Sequence, residues 1–347
     1  MRATVYHGKG DMRVETVPDP SISEPTDAIV RVVNAAICGS DLWWYRGLSS
    51  ATPGQRTGHE FIGVIEEAGS GVSHYKRGDI VAAPFNWSDG TCTFCHERVF
   101  NSCVHVGYWG GDNDGGQGQF VRVPYADATL STIPGAIAHD ANKRTSALAL
   151  TDVMSTGHHG CVRARVERGG TVAVIGDGAV GLCAVLAAKR LGAAHIIAIG
   201  HHPSRLETAV AFGATEVVDS KDPDVAAKVI EMTKGGAHSV VEAVGGQGPL
   251  DLAIQIARPG GFVSFVGIPI GTQNFDARRL FSHNITIGGA VAPAHAYIDE
   301  LMRDVAAGTL DPSPVFTLRL PLEESPQGYA AMDDRSAIKV VLDVSPL

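Results

Sequence analysis

A glycine-rich turn constrains this chain more than any other feature. Gly176-Asp177-Gly178-Ala179-Val180-Gly181 stands between an apolar β-branched run at 171–175 and a helix-like run at 179–191. In that setting each glycine has a mechanical task. The first permits a tight turn, the second lets backbone N–H groups approach a pyrophosphate at the positive end of the helix, and the third lets helix and strand pack closely. Strand-like runs at 195–199, 216–218, 239–242 and 261–265 then alternate with helix-like runs at 205–212 and 224–232. This alternation predicts βαβ units in a doubly wound parallel sheet, with a dinucleotide as ligand.

The preceding 150 residues have another texture. Short strand signals at 28–33, 61–66, 79–83 and 120–123 are broken by Gly and Pro, with no long amphipathic helix between them. They predict a compact all-β, barrel-like domain. After about residue 291 the chain offers a helix at 297–307 and a final strand at 338–344, read as a return to the first domain.

A dinucleotide site that prefers NAD usually carries an acid about 20 residues beyond the turn, at the end of the second strand, to bind the ribose 2′-OH. Here that end reads Ile199-Gly200-His201-His202-Pro203-Ser204-Arg205. Gly200 leaves room for a 2′-phosphate, and His201, His202 and Arg205 offer basic groups to pair with it. NADP is therefore expected ahead of NAD.

Among 347 residues there are six cysteines, three of them spaced C-x2-C-x7-C at Cys92, Cys95 and Cys103. In a long chain with no apolar leader, such spacing reads as metal or redox chemistry before disulfides. Elsewhere Cys38-Gly-Ser40-Asp41, Gly58-His59-Glu60-Phe61 and Asp152 offer thiolate, imidazole and carboxylate, all suitable zinc ligands.

In this order the motifs closely resemble the zinc-dependent medium-chain alcohol dehydrogenases. The series runs C-G-S-D, G-H-E-F-x-G, Gly78-Asp79-x-Val81, the cysteine cluster and G-x-G-x-x-G, then continues at 241–246, 258–261 and 337–341. The resemblance covers almost the whole chain. It implies an α/β protein with a GroES-like β-barrel catalytic domain at 1–152 and 297–347 and a Rossmann domain at 153–296. Cys38, His59 and Asp152 would hold a catalytic zinc; many members have a second Cys where Asp152 stands. Glu60 would lie beside the metal as an exchangeable ligand, Asp41 would orient His59, and Ser40 would take the substrate proton. Several relatives continue that relay with a His three residues on, where this chain has Trp43, which cannot shuttle a proton. A structural zinc lobe of four cysteines is common in the family; here Asp89 takes the first position ahead of Cys92, Cys95 and Cys103, and His96 or His105 are possible substitutes. The cofactor would meet Gly176, Gly178, Ala179, Val180, Gly181, Gly200, His201, His202 and Arg205, with Val244, Gly267 and Lys339.

The expected activity is hydride transfer between an alcohol, or the matching aldehyde or ketone, and NADP(H). A polyol or sugar dehydrogenase of the same fold is the alternative enzyme, and a non-catalytic NADPH-binding protein the alternative from another class. Trp43, Trp44, Trp87 and Trp109 are expected pocket residues, and their apolar character favours less hydroxylated substrates. A net charge of -9 argues against nucleic acid or an acidic membrane surface as partner. With no bilayer-length apolar run, a cytoplasmic location is expected, and the family resemblance implies a homodimer or homotetramer.

Overall fold

The structure, a computed structural model, describes residues 1–269 and 271–347. The chain divides into two units, Met1–Asp152 with Pro293–Leu347, and Val153–Ala292. The return to the first unit falls at Pro293 rather than at the expected 297. The reason is packing: Ala294 is already fully buried, and helix His295–Ala307 sets Ile298, Leu301, Met302 and Val305 into the first unit, against helix Ala141–Leu150.

In the first unit the strand Ala28–Ile37 is central. It pairs antiparallel with Glu60–Ala68, Lys339–Asp343 and Phe120–Val123 within a seven-stranded sheet. Its sequence, AIVRVVNAAI, is apolar almost throughout, as a strand covered on both faces requires. The register places the site. Ala36 lies opposite Glu60, and Ile37 opposite Val340. Side chains alternate along a strand, so Cys38, two steps beyond Ala35's neighbour Ala36, shares a face with Glu60, and Lys339 arrives beside them from the other flank. Phe61, Trp109, Ile37 and Tyr329 fill the core below; burying each such side chain contributes roughly 1.5–3 kcal/mol.

The second unit is a six-stranded parallel sheet in the order Glu216–Asp219, His195–Gly200, Thr171–Ile175, Ala237–Glu242, Ala257–Phe265, Thr286–Gly289. This is the doubly wound order, with the chain reversing direction across the sheet beside Thr171–Ile175. Helices Val153–Arg163 and Ala179–Arg190 lie close because Gly157 has no side chain; a Cβ there would meet Ala184 N at 2.6 Å.

Of the helices that went unread in the sequence, two show the physical reason plainly. Ala141–Leu150 is buried from Thr145 to Leu150 and so has no amphipathic stripe. It starts instead on its cap, where the Asp140 side chain accepts the N–H of Asn142 and Lys143. Gln247–Ile256 begins in a Gly- and Pro-rich segment that reads as loop, although Pro is tolerated in a first helical turn.

Candidate functional site

The first unit brings Cys38, His59, Glu60 and Asp152 together, with one donor atom of each inside a 4.8 Å cluster. Asp152 Oδ2 lies 3.3 Å from Cys38 Sγ and 3.4 Å from His59 Nε2. Donors bound at about 2.0–2.3 Å around one tetrahedral ion stand about 3.3–3.7 Å apart, so the spacing suits a shared metal. A second observation agrees. Glu60 Oε2 is buried and has no hydrogen-bond partner, an orphaned acceptor within the same cluster.

The supports are as specific as the donors. Asp41 Oδ2 accepts the Cys38 N–H at 2.9 Å, and Asp41 Oδ1 lies 3.3 Å from His59 Nδ1. This fixes the ring and leaves Nε2 for the metal side. Gln117 Nε2 donates to Asp41 and to the Ala36 carbonyl, while its oxygen accepts from Tyr329 Oη and Thr57 Oγ1, each at 2.8 Å. Gly58, at φ +92°, makes the bend that aims His59; a Cβ there would strike Gln117 at 2.4 Å. Gln117, Thr57 and Tyr329 carry no motif, and the sequence reading missed them.

Glu60 and Lys339 form a buried ion pair, Oε1 to Nζ, at 2.6 Å, and Lys339 also donates to the Ile37 carbonyl. Burial pushes the Glu60 carboxyl up, as does the Asp152 charge, while Lys339 pulls it back. Burial works to lower Lys339, but Glu60 and its anionic neighbours hold it above its ordinary value. Lys339 was expected at the cofactor; the structure turns its ammonium onto Glu60 instead, at 1% exposure.

Ser40, Asp41, His59, Trp44, Trp109, Gly58 and Gly110 line a cavity of about 160 Å³. Ser40 Oγ lies 3.5 Å from His59 Nε2. Of the four tryptophans, Trp44 and Trp109 form walls; Trp87 stands edge-on behind Trp109, and Trp43 is not a lining residue.

The second cysteine cluster also converges. Asp89, Cys92, Cys95 and Cys103 present donors within 4.8 Å of one another, and none of the six cysteines is in a disulfide. Cys103 Sγ receives the N–H of Asp89 and His105, while His105 Nδ1 lies 2.7 Å from Asp89 Oδ2. His105 thus backs the carboxylate, and His96 is exposed outside the cluster.

In the second unit the glycine turn joins Thr171–Ile175 to helix Ala179–Arg190, with Gly178 as the residue before the helix. At Gly181 a Cβ would fall 2.0 Å from the Gly176 carbonyl, so only glycine closes the turn. Val244 and Gly267 sit at the same sheet end; a Cβ on Gly176 would meet Val244 at 2.9 Å, and one on Gly267 would meet Val244 N at 2.7 Å.

Two family models match the chain, the alcohol dehydrogenase GroES-like domain over residues 24–134 and the zinc-binding dehydrogenase over 179–307. A "Probable zinc-binding alcohol dehydrogenase" of Mycobacterium tuberculosis is 38% identical over 97% of this chain and 86% of its own length. An "Uncharacterized zinc-type alcohol dehydrogenase-like protein" of Bacillus subtilis is 34% identical over 99% and 100%. Among solved structures, an alcohol dehydrogenase from Thermus sp. ATN1 matches with TM-score 0.94 and 37% identity, covering 99% of this chain and all of that one. The chain belongs to the zinc-dependent medium-chain alcohol dehydrogenases. The GroES-like and Rossmann folds expected of that family are the folds of the two units.

One expectation for this dehydrogenase is corrected by the structure. The room at Gly200 is not open: a Cβ there would lie 2.6 Å from Asp177 Oδ2, because the Asp177 carboxylate fills it. Arg205, expected as an available cation, is 5% exposed within helix Pro203–Phe212. No helix among the described residues is long and apolar enough to cross a membrane.

Proposed function

We propose that this chain interconverts an alcohol and its aldehyde or ketone, with zinc held by Cys38, His59 and Asp152 and a nicotinamide dinucleotide held at the Gly176–Gly181 turn. The observation that carries this reading is the convergence of three zinc-compatible donors beside a cavity whose floor includes Ser40. Bound zinc supplies a Lewis acid that acidifies an alcohol or polarises a carbonyl, and the nicotinamide supplies the hydride acceptor or donor.

The chain's own residues do the rest. Asp41 holds the His59 ring in place through Nδ1. Ser40 Oγ, at the cavity, accepts the proton that the alcohol loses. Trp43 supplies no onward acceptor, so the proton leaves Ser40 to solvent rather than to a side chain at that position. Glu60, with Oε2 free of partners, is the exchangeable carboxylate beside the donors. Asp89, Cys92, Cys95 and Cys103 are read as a structural zinc site of one carboxylate and three thiolates.

Trp44 and Trp109 give the cavity apolar walls, which favours simple alcohols and carbonyl compounds over polyols. NADP was favoured by the sequence; the carboxylate of Asp177 moves the reading to NAD. The test follows nicotinamide absorbance with NADH or NADPH against aldehydes, ketones and sugars, with and without a zinc chelator. Chelator-sensitive oxidation by carbonyl compounds is expected. Turnover indifferent to metal removal overturns the zinc assignment, and dinucleotide binding by the fully metallated protein with no turnover of any substrate favours a binding role.

A further inference from the structure

Asp177 belongs to the glycine turn by sequence, but its carboxylate reaches the end of the neighbouring strand His195–Gly200. Oδ2 accepts the backbone N–H of His201 at 2.8 Å and of His202 at 2.9 Å. Oδ1 lies 3.1 Å from the His202 ring Nδ1. In a doubly wound sheet the nucleotide crosses the carboxyl ends of the first two strands, and the end of the second meets the adenosine ribose. At that place this chain has Gly200, with no side chain. The volume such a side chain would take is filled from the first strand's turn, since a Cβ on Gly200 would fall 2.6 Å from both Asp177 Cβ and Oδ2.

We infer that Asp177 reads the adenosine ribose, accepting a hydrogen bond from the hydroxyls of NAD and excluding the 2′-phosphate of NADP. The inference rests on the reading that this turn holds a dinucleotide. A carboxylate serves in that role only if it is ionised. Burial pushes Asp177 up, but the N–H groups of His202 and His201 and the His202 ring more than offset it, holding the carboxyl below its usual range. Oδ1 keeps acceptor capacity beyond its one imidazole contact, because a carboxylate oxygen has two lone pairs.

The same contacts remove what a 2′-phosphate would need. Consecutive backbone N–H groups after a strand form a cradle for an anion, and here both already point at Oδ2. His201 is held below its usual pKa by burial and by the neighbouring His202, which weakens it as a cation. Arg205 is buried in its helix. A phosphate would therefore meet a fixed carboxylate at the strand end, its backbone donors already taken, with the exposed Lys221 beyond His201 as the nearby cation. The strand-end acid is displaced in sequence by more than twenty residues, from 200 to 177, while keeping its position in space.

The test is direct binding of NAD+ and NADP+ to the zinc-loaded protein by titration calorimetry, which needs no substrate. The wild type should bind NAD+ about 10–100-fold more tightly, the scale of one hydrogen bond to a charged group. Asp177→Asn, and Asp177→Ser as a second variant in case the first does not fold, should bring the two affinities to within about threefold, mainly by admitting NADP+. Wild-type protein that prefers NADP+, or a folded variant with an unchanged ratio, overturns the inference and leaves the dehydrogenase reading standing. Wild-type protein that binds neither nucleotide overturns both.

Discussion

Lys339 Nζ lies 2.6 Å from Glu60 Oε1, with both side chains sealed from solvent. Removing one partner of a buried pair strands the other charge, at a cost of about 3–5 kcal/mol, whereas replacing both with apolar groups is often neutral. Lys339→Met should therefore lower the unfolding free energy by about that amount, and the double variant Lys339→Met with Glu60→Met should recover most of it. Urea denaturation of the single and double variants measures this. A single variant as stable as wild type means the pair is not closed from water.

The two metal clusters should separate cleanly. Cys38→Ser is expected to lose the zinc at the first cluster and all turnover. Cys92→Ser is expected to lose the zinc at the second while the remaining metal still supports turnover at low temperature. Metal analysis beside a rate measurement decides it. Full zinc content in Cys92→Ser means the second cluster holds no ion.

Closing the glycine turn depends on Gly181, where a Cβ would overlap the Gly176 carbonyl. Gly181→Ala should weaken NAD+ and NADP+ alike, by about 5- to 150-fold, since the clash costs of order 1–3 kcal/mol. This contrasts with Asp177→Asn, whose effect is on the ratio of the two. Unaltered binding of both nucleotides by Gly181→Ala would remove the turn from the cofactor site.

Acid should loosen the loop that Asp127 holds. Its carboxylate accepts the N–H of Ser73 and His74 and the Ser73 hydroxyl. Burial pushes this carboxyl up, but those donors outweigh it and leave it below 3.8. A depressed carboxylate stabilises the folded state above its unfolded pKa, and the contribution is lost as pH falls through the folded value. Asp127→Asn should thus cost about 1 kcal/mol at pH 7, discounted for partial exposure, with the gap closing in acid. Denaturation midpoints in steps from about pH 7 to about pH 2 give the comparison; a gap that does not narrow anywhere over that range assigns the loss to shape rather than charge.

The legible parts of this chain were those where one residue type has one physical use. Gly176, Gly178 and Gly181 between a strand and a helix read correctly as a turn, and at Gly176 and Gly181 no side chain would fit. Cys38, His59 and Asp152 read as a set through family order, and the fold does bring them together. What escaped was decided by partners remote in sequence. Gln117 has no signature, since its use depends on Tyr329 lying 212 residues away. Gly200 was read as empty space because the residue that fills it arrives from another strand. Asp177 stood in plain view within the turn, but a motif fixes its glycines and leaves its variable positions unread.

The closing strand Lys339–Asp343 sets an order for the protein's birth. Glu60 and its cation are separated by 279 residues. At synthesis rates of roughly 5–20 residues per second, the carboxylate waits roughly 15–60 s on the ribosome for its lysine. Meanwhile all of Val153–Ala292 is made without interruption. The inserted unit can mature while its host is still missing an edge. Until then the nascent first unit carries an unneutralised acid, and the stretch Asn34–Ile37 of its central strand lacks its partner on one side.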